Sequence, residues 1–414
     1  MPALMPVRGT RDILPDESRR RRRIEQVAFD LAQRYGFGEI STPVLEFTEV
    51  FARTLGDSSD IVTKEMYTFA DRGGDSITLR PENTAGVARA FISNGWAQHV
   101  PLKLFYRGPM FRYERPQKGR YRQFHQFGVE LIGIAEPLAD AEVIALAADI
   151  LSALGLSGQV TLELNSLGDG ESRLAYRDVL VDYLRAQRRS LSEDSLLRLE
   201  RNPMRILDSK DEGDRAVVAG APLISDSLNG PSRAFFEKLT GFLDVTEVAY
   251  RINPRLVRGL DYYCHTAFEF TTDALGAHGA VLAGGRYDGL IQQMGGPPTA
   301  GTGWAAGVER LMMLVDDAGQ APRPLAVVPQ SADHVADALV ITQRLRHAGF
   351  TVDLGYSGNL GKRMKRANKI AARACIILGD DEIARGVGTV RDMDTGEQQQ
   401  VVLEGIEDHL GRYR

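Results

Sequence analysis

The chain has 414 residues, a formal net charge of -5, 43% hydrophobic residues and 25% charged residues. That length suits two or three domains with cores of their own, and the net charge excludes a chain that is basic throughout, so any nucleic-acid surface must be local. Cys264 and Cys375 lie too far apart in sequence for a zinc-ligand spacing and are too few for a disulfide framework; with no signal-peptide pattern and no bilayer-length apolar run, the expected setting is cytoplasmic, without a membrane.

Asp16, Glu17 and Ser18 mark a helix start, and Ile24, Val27, Ala28 and Leu31 follow at helical spacing until Gly36 and Gly38 stop the pattern. The five arginines at 19–23 read as a solvated first turn, with an RNA contact as the alternative. Residues 40–47 read as a strand interrupted by Pro43, which suits a sheet edge or a subunit interface. A turn at 71–74 and a strand at 77–79 lead to Pro81, after which Asn83 or Thr84 can cap a helix over 85–91. Glu82 therefore sits on a strand-to-helix turn, a common place for a binding residue.

Residues 111–133, FRYERPQKGRYRQFHQFGVELIG, read as two strands joined by a long basic loop. The outgoing strand carries Arg112 and the returning strand Glu130. Such a hairpin suits a polyanion gripped by arginines, with an ordinary solvated hairpin as the alternative. A helix over 139–154 and a strand over 160–164 come next. Residues 168–243 then turn rich in Arg, Asp, Glu and Ser and read as an inserted helical module. Strands return over 250–270, followed by the glycine-rich AGGRYDGL at 283–290 and a small-residue strand entering a helix with Glu309 and Arg310 at 301–314. A linker at 316–324 separates a small α/β domain of about a hundred residues, whose units alternate strand and helix.

No P-loop occurs, and no G-x-G-x-x-G follows a strand in a dinucleotide context, so any nucleotide must be held by arginines. Arg112, Arg258 and Arg310 are the candidates, although each alone could be a structural ion pair. Glu82 and Glu130 have no glycosidase or metalloprotease spacing; Glu130 suits a buried ion pair or an acceptor for a substrate N–H. The seven histidines form no ligand cluster, so no metal site is expected from the chain itself, and His125 reads as a hydrogen-bonded core or rim residue.

In combination these residues resemble the histidyl-tRNA synthetase family, within the class II aminoacyl-tRNA synthetases. RGTRDILP at 8–15 is similar to the family's opening and TLRPENTAG at 78–86 to its amino-acid turn. The segment 111–130 is similar to motif 2, LVRGLDYY at 256–263 to the histidine signature, GVERL at 307–311 to motif 3, and the region of Pro43 to motif 1. Motif 2 with RGLDYY is the specific pair; GVERL alone is weak. The resemblance implies an α+β catalytic domain with an antiparallel sheet over 1–320, a helical insertion at about 170–243, and a C-terminal α/β anticodon-binding domain over 325–414. It implies ATP and Mg²⁺, L-histidine and tRNA(His) as partners, and a homodimer through motif 1.

It also implies roles. Arg112 and Arg258 would face the α-phosphate, and Arg310 the γ-phosphate and adenine. Glu82, Thr84 and Gln126 would hold the amino acid's charged end, and Glu130, Tyr262, Tyr263 and Tyr287 its imidazole. Arg115, Gln117, Lys118 and Arg120 would meet the tRNA acceptor end, with its extra 5′ guanosine. Lys362, Arg363, Lys365, Arg366 and Lys369 are candidate phosphate contacts, with a solvated face as the alternative. Asn83, Tyr113 and Ala283 stand where the family commonly has glycine, histidine and glycine, which touches pocket detail. The rival is the synthetase-like regulatory subunit of ATP phosphoribosyltransferase, which typically lacks the last domain and has degraded motifs.

Overall fold

A computed structural model describes residues 3–56, 61–117, 119–258, 260, 262–276, 279–315, 319 and 321–413. Lys118, and Gly259 and Asp261 of the histidine signature, lie outside the described residues. The chain divides into two compact units, Met1–Gly319 and Gln320–Arg414.

The first unit is built on eleven described strands: β1 Gly38–Glu39, β2 Leu45–Phe47, β3 Tyr67–Ala70, β4 Ser76–Leu79, β5 Leu102–Phe111, β6 Gln123–Ile132, β7 Thr161–Ser166, β8 Arg251–Ile252, β9 Cys264–Thr271, β10 Ala280–Arg286 and β11 Gly301–Gly307. Eight form one sheet in the order β1-β5-β6-β11-β10-β9-β7-β8, antiparallel from β5 through to β7 with a short parallel strand at each end. The remaining three pair as β2-β4-β3. The helices are α1 Pro15–Arg34, α2 Thr48–Ala52, α3 Thr84–Ser93, α4 Pro137–Ala153, α5 Gly170–Ala186, α6 Glu193–Arg201, α7 Glu212–Ala219, α8 Gly230–Val245, α9 Leu290–Gln293 and α10 Val308–Met312.

One face of the large sheet is sealed by α1, α4 and α8. Phe105, Phe127, Val129, Leu131, Phe268 and Trp304 meet Ile24, Ile144 and Leu243 in a continuous core. The alternation along β6 sends Phe127 and Val129 into that core and leaves Phe124 and Gln126 for the opposite face. That opposite face carries the functional cavity. Helices α5 to α8, with short 3-10 turns between them, occupy Gly170–Val245.

Two local expectations change. Residues 40–47 are not one interrupted strand: β1 and β2 are separated by 40–44, where Pro43 has no N–H to give a ladder and the Thr42 carbonyl and hydroxyl both accept from Arg80. The arginine run is not simply a solvated turn either. Arg20 donates to the Met312 carbonyl (3.1 Å) and Arg21 reaches the His125 ring (2.9 Å), because their face of α1 turns towards α10 and β6; Arg22 is exposed.

The second unit is a five-stranded sheet, β12 Leu325–Pro329, β13 Val352–Leu354, β14 Ala374–Leu378, β15 Val387–Asp392 and β16 Gln398–Val402, ordered β13-β12-β14-β15-β16. Its helices are α11 Val335–His347, α12 Leu360–Lys369, α13 Asp380–Ala384 and α14 Ile406–Leu410. Every residue of β12 is buried, since Leu325 and Val327 pack on one side with α11 and Ala326 and Val328 on the other with α12. On α12, Arg363 is buried and donates to the Pro329 and Ser331 carbonyls, while Arg366 pairs with Asp353 through two bonds of 2.7 and 2.8 Å. Arg363 is thereby taken up in the fold, whereas Lys362, Lys365, Arg366 and Lys369 are exposed cations of that helix, Arg366 being paired with Asp353.

Candidate active site

Arg112, Arg258 and Arg310 converge on one cavity of about 560 Å³, although they come from the end of β5, the stretch before β9 and the helix α10. Each is held by its surroundings. Arg112 donates Nε to the Pro81 carbonyl (2.9 Å) and lies over the Phe124 ring at 5.3 Å. Arg258 is bonded to Glu269 on β9 and lies over Tyr263 at 5.3 Å. Burial opposes its charge, but Glu269 and Tyr263 more than offset that and hold its pKa above the ordinary value. Arg310 donates to the Ala280 carbonyl. Burial pulls its pKa down, and the neighbouring Arg120 and Arg112 charges pull it further. Three guanidiniums on a shared wall, one of them pressed by neighbouring positive charge, suit a polyanion.

The acidic corner lies beside them. Glu82 does not simply project from its turn: its two carboxylate oxygens accept the backbone N–H groups of Thr84 (2.7 Å) and Ala85 (2.9 Å), so it closes the start of α3. Asn83 occupies the cap position without capping, because Thr42 and Arg80 hold its side-chain oxygen. Burial raises the Glu82 carboxyl, against the pull of those two amides.

Behind the wall formed by Thr84, Tyr262 and Tyr263 lies Glu130, fully buried on β6. It accepts from the Thr84 hydroxyl (2.6 Å) and the Tyr287 hydroxyl (2.6 Å). Burial pushes its carboxyl up to about 8, the two hydroxyls opposing the shift and Glu82 adding to it. Tyr262 packs against Tyr263 (ring centroids 4.6 Å apart) and Tyr287 (6.0 Å). Gly303 faces Glu130 across the β6–β11 pairing, and a Cβ there would strike the carboxylate and the Val129 carbonyl. Among the described residues the buried Gln126 oxygen has no hydrogen-bond partner, leaving polar capacity for a ligand.

Of the residues singled out from sequence, Glu82, Thr84, Arg112, Arg120, Gln126, Arg258, Tyr262, Tyr263 and Arg310 line the cavity, and Glu130 and Tyr287 stand immediately behind it. Arg115 and Gln117 are exposed on the hairpin loop, whereas Arg120 bridges backbone-to-backbone with Gln117 and turns into the cavity wall. The N-terminal segment braces this loop: Arg122 donates to the Gly9 carbonyl and Arg11 lies over Tyr121.

Sequence reasoning missed Phe124, Glu269, Tyr106, Asp208 and Lys210. The alternation from Gln126 would have reached Phe124, and a lone acid between Phe268 and Phe270 would have flagged Glu269. Asp208 and Lys210 enter the wall from the helical insertion and carry no local signal. Among the described residues no three His, Cys, Asp or Glu side chains converge as a metal cage. Glu114 and Glu269 on the wall are hard oxygen donors suited to a cation that brings phosphate ligands with it.

The histidyl-tRNA synthetase family matches residues 9–311 and the anticodon-binding-domain family residues 325–412. A histidine–tRNA ligase of Rhodospirillum rubrum is 66% identical over 414 residues, covering all of both chains. The apo histidyl-tRNA synthetase of S. aureus superposes with a TM-score of 0.82 at 36% identity, covering 98% of this chain and 99% of that one. An ATP phosphoribosyltransferase regulatory subunit/histidyl-tRNA synthetase structure from Bacillus halodurans gives 0.69 at 23% identity over 92% of this chain and 99% of that one, a likeness of fold alone.

Proposed function

The chain belongs to the histidyl-tRNA synthetase family, and on that basis we propose how its residues divide the work. It is a histidine–tRNA ligase: it activates histidine with ATP and transfers the aminoacyl group to tRNA. The regulatory-subunit alternative has less support, since the relatives matching over the full chain are ligases.

In the first step the histidine carboxylate attacks the α-phosphorus and pyrophosphate leaves. Negative charge builds on the phosphate oxygens, and preorganised cations stabilise it without a protein nucleophile. Arg112 and Arg258 take the α-phosphate, and Arg310 the γ-phosphate and adenine edge. A Mg²⁺ ion carried by ATP would find Glu114 and Glu269 as its protein donors and would neutralise phosphate charge. Glu82, Thr84 and Gln126 hold the ammonium and carboxylate. Glu130 with Tyr262, Tyr263 and Tyr287 receives the imidazole, and a side chain lacking ring nitrogens would leave that buried cluster unpaired, worth about 10⁴ in discrimination. In the second step a ribose hydroxyl of the tRNA's terminal adenosine attacks the adenylate carbonyl and AMP leaves. Arg115, Gln117 and Lys118 meet the acceptor end, and Arg120 stands where that end reaches the cavity.

The observation that carries this reading is the convergence of three arginines on a cavity backed by the Glu130 cluster. Its test is ATP–pyrophosphate exchange. Exchange should require histidine, and Arg258→Ala should lower its kcat by about 10²-fold or more with the fold retained by circular dichroism. Exchange that ignores histidine, or survives the substitution, rejects the assignment.

The catalytic units pair as a homodimer in a cytoplasmic setting. Leu45, Phe47 and Phe69 support this, being 49%, 58% and 47% exposed on the same face of the three-stranded sheet next to the Pro43 region. Sedimentation equilibrium should give twice the chain mass, and Phe47→Glu should shift it towards one; a wild-type monomer rules the dimer out.

A further inference from the structure

Helix α10 presents Arg310 to the cavity, yet it is five residues long and cannot hold itself in place. Two groups of α1 secure it from the far side. Arg20 donates to the carbonyl of Met312, the last residue of α10 (3.1 Å). Arg21 donates to Nε2 of His125 (2.9 Å), and His125 in turn meets Glu309, the residue before Arg310.

The protonation pattern of the ring follows from its partners. A guanidinium only donates, so Nε2 must accept and Nδ1 must carry the hydrogen. Nδ1–H therefore donates to the Glu309 carboxylate (2.8 Å), which also accepts the His125 backbone N–H (2.9 and 3.1 Å). The Glu309 side chain is buried, so these bonds run in a low-dielectric setting where a charged acceptor counts for more. Glu25 on α1, Arg107 on β5 and, towards Glu309, Arg11 add to the charged surroundings. His125 lies between Phe124 and Gln126 on β6 but points the other way, so the strand touches substrate with one face and α10 with the other.

We propose that His125 is a positioning residue for ATP: fixed by Arg21, it anchors Glu309 and thereby sets α10 and the Arg310 guanidinium against the nucleotide. This rests on the reading of Arg310 as a phosphate ligand. It assigns part of the arginine run a task in the reaction, and it separates the ATP side of β6 from the histidine side, where Gln126 and Glu130 face other partners.

The test is ATP–pyrophosphate exchange by the full chain, with KM measured for each substrate. His125→Leu removes the ring bond and should raise the ATP KM about tenfold while the histidine KM stays within about twofold. His125→Asn places an amide N–H where Nδ1–H stood, and should restore the ATP KM to within about threefold of wild type. Arg21→Gln, at a half-buried position of α1, should raise the ATP KM by about threefold and serves if the leucine variant does not fold. An unchanged ATP KM in the leucine and glutamine variants, a parallel rise in both KM values, or an asparagine variant no better than leucine overturns the proposal. A wild-type chain whose exchange is independent of histidine would strike the earlier assignment instead.

Discussion

At the scale of single residues, Glu130 is the most informative group because its environment makes its charge conditional. Burial holds its carboxyl at about 8, so near neutrality the free enzyme keeps it largely protonated. The folded state thus binds a proton that the unfolded chain has released above the ordinary carboxylate range, with a reference value of 4.5. Since the folded state binds more protons, stability falls with rising pH between those two values and is fully present only below the lower one. Glu130→Gln has no proton to lose, so its melting temperature should vary less than wild type from pH 5 to 8. In the proposed function the same carboxylate, once ionised, accepts the imidazole N–H. Histidine affinity should therefore improve as pH rises towards 8 in wild type and lose that trend in the variant. Equal pH profiles by calorimetry would refute both statements. Glu82 and Glu130 were legible in the sequence because they sit inside motifs of specific spacing. What was not legible is how they are used: that Glu82 closes a helix while Asn83 is drawn away by Arg80 depends also on Thr42, 41 residues upstream, which holds the same Asn83 oxygen.

At the scale of elements, the site depends on how α4 is fastened beneath the sheet. Asp140 on α4 and Arg286 at the end of β10 form an ion pair in which neither side chain is exposed. Arg286 also donates to the Ile134 and Glu136 carbonyls, and Asp140 accepts the Thr302 hydroxyl, so the pair is fully bonded. Tyr287, which holds Glu130, is the next residue along. Removing the Asp140 charge leaves the buried Arg286 with only the partly exposed Asp288 as a charged partner, so Asp140→Asn should destabilise by about 3 kcal/mol and weaken histidine binding through Tyr287. Asp140→Leu with Arg286→Met should recover much of that stability, giving a double-mutant coupling above about 1 kcal/mol in urea melts; a coupling near zero rejects the pair as the fastening. The sequence displayed the helix of residues 139–154 by its periodicity and marked 283–290 as a glycine-rich strand end and turn. It could not display the pair, since 146 residues separate the two charges and each reads locally as an ordinary polar position. The arginine run failed in the opposite sense. A block of like charge looks solvated by its composition, and only the packing of α1 against α10 and β6 shows which arginines turn inward.

At the scale of the whole molecule, the two units have separate sheets and separate cores, so their contributions are open to separate measurement. In the proposed function adenylation takes place in the cavity of the first unit. Charging also needs tRNA, whose backbone attraction is electrostatic and therefore salt-dependent. The chain as a whole is acidic, at -5, so the RNA must be met by local cations. On α12 the sequence offered five candidates; the fold removes the buried Arg363 by tying it to carbonyls and pairs the exposed Arg366 with Asp353, which leaves three unpaired lysines among the described contacts. If Lys362, Lys365 and Lys369 contact a single-stranded anticodon loop, each adds about 0.7 to the slope of log(kcat/KM) for tRNA against log salt concentration. Replacing all three by alanine should flatten that slope by about 2 and leave pyrophosphate exchange at its wild-type rate. An unchanged slope would mean that α12 presents a solvated face and that the anticodon is read elsewhere on the second unit. Exchange falling together with charging would mean that the two units do not act separately, and the division of labour inferred from their independent cores would fail with it.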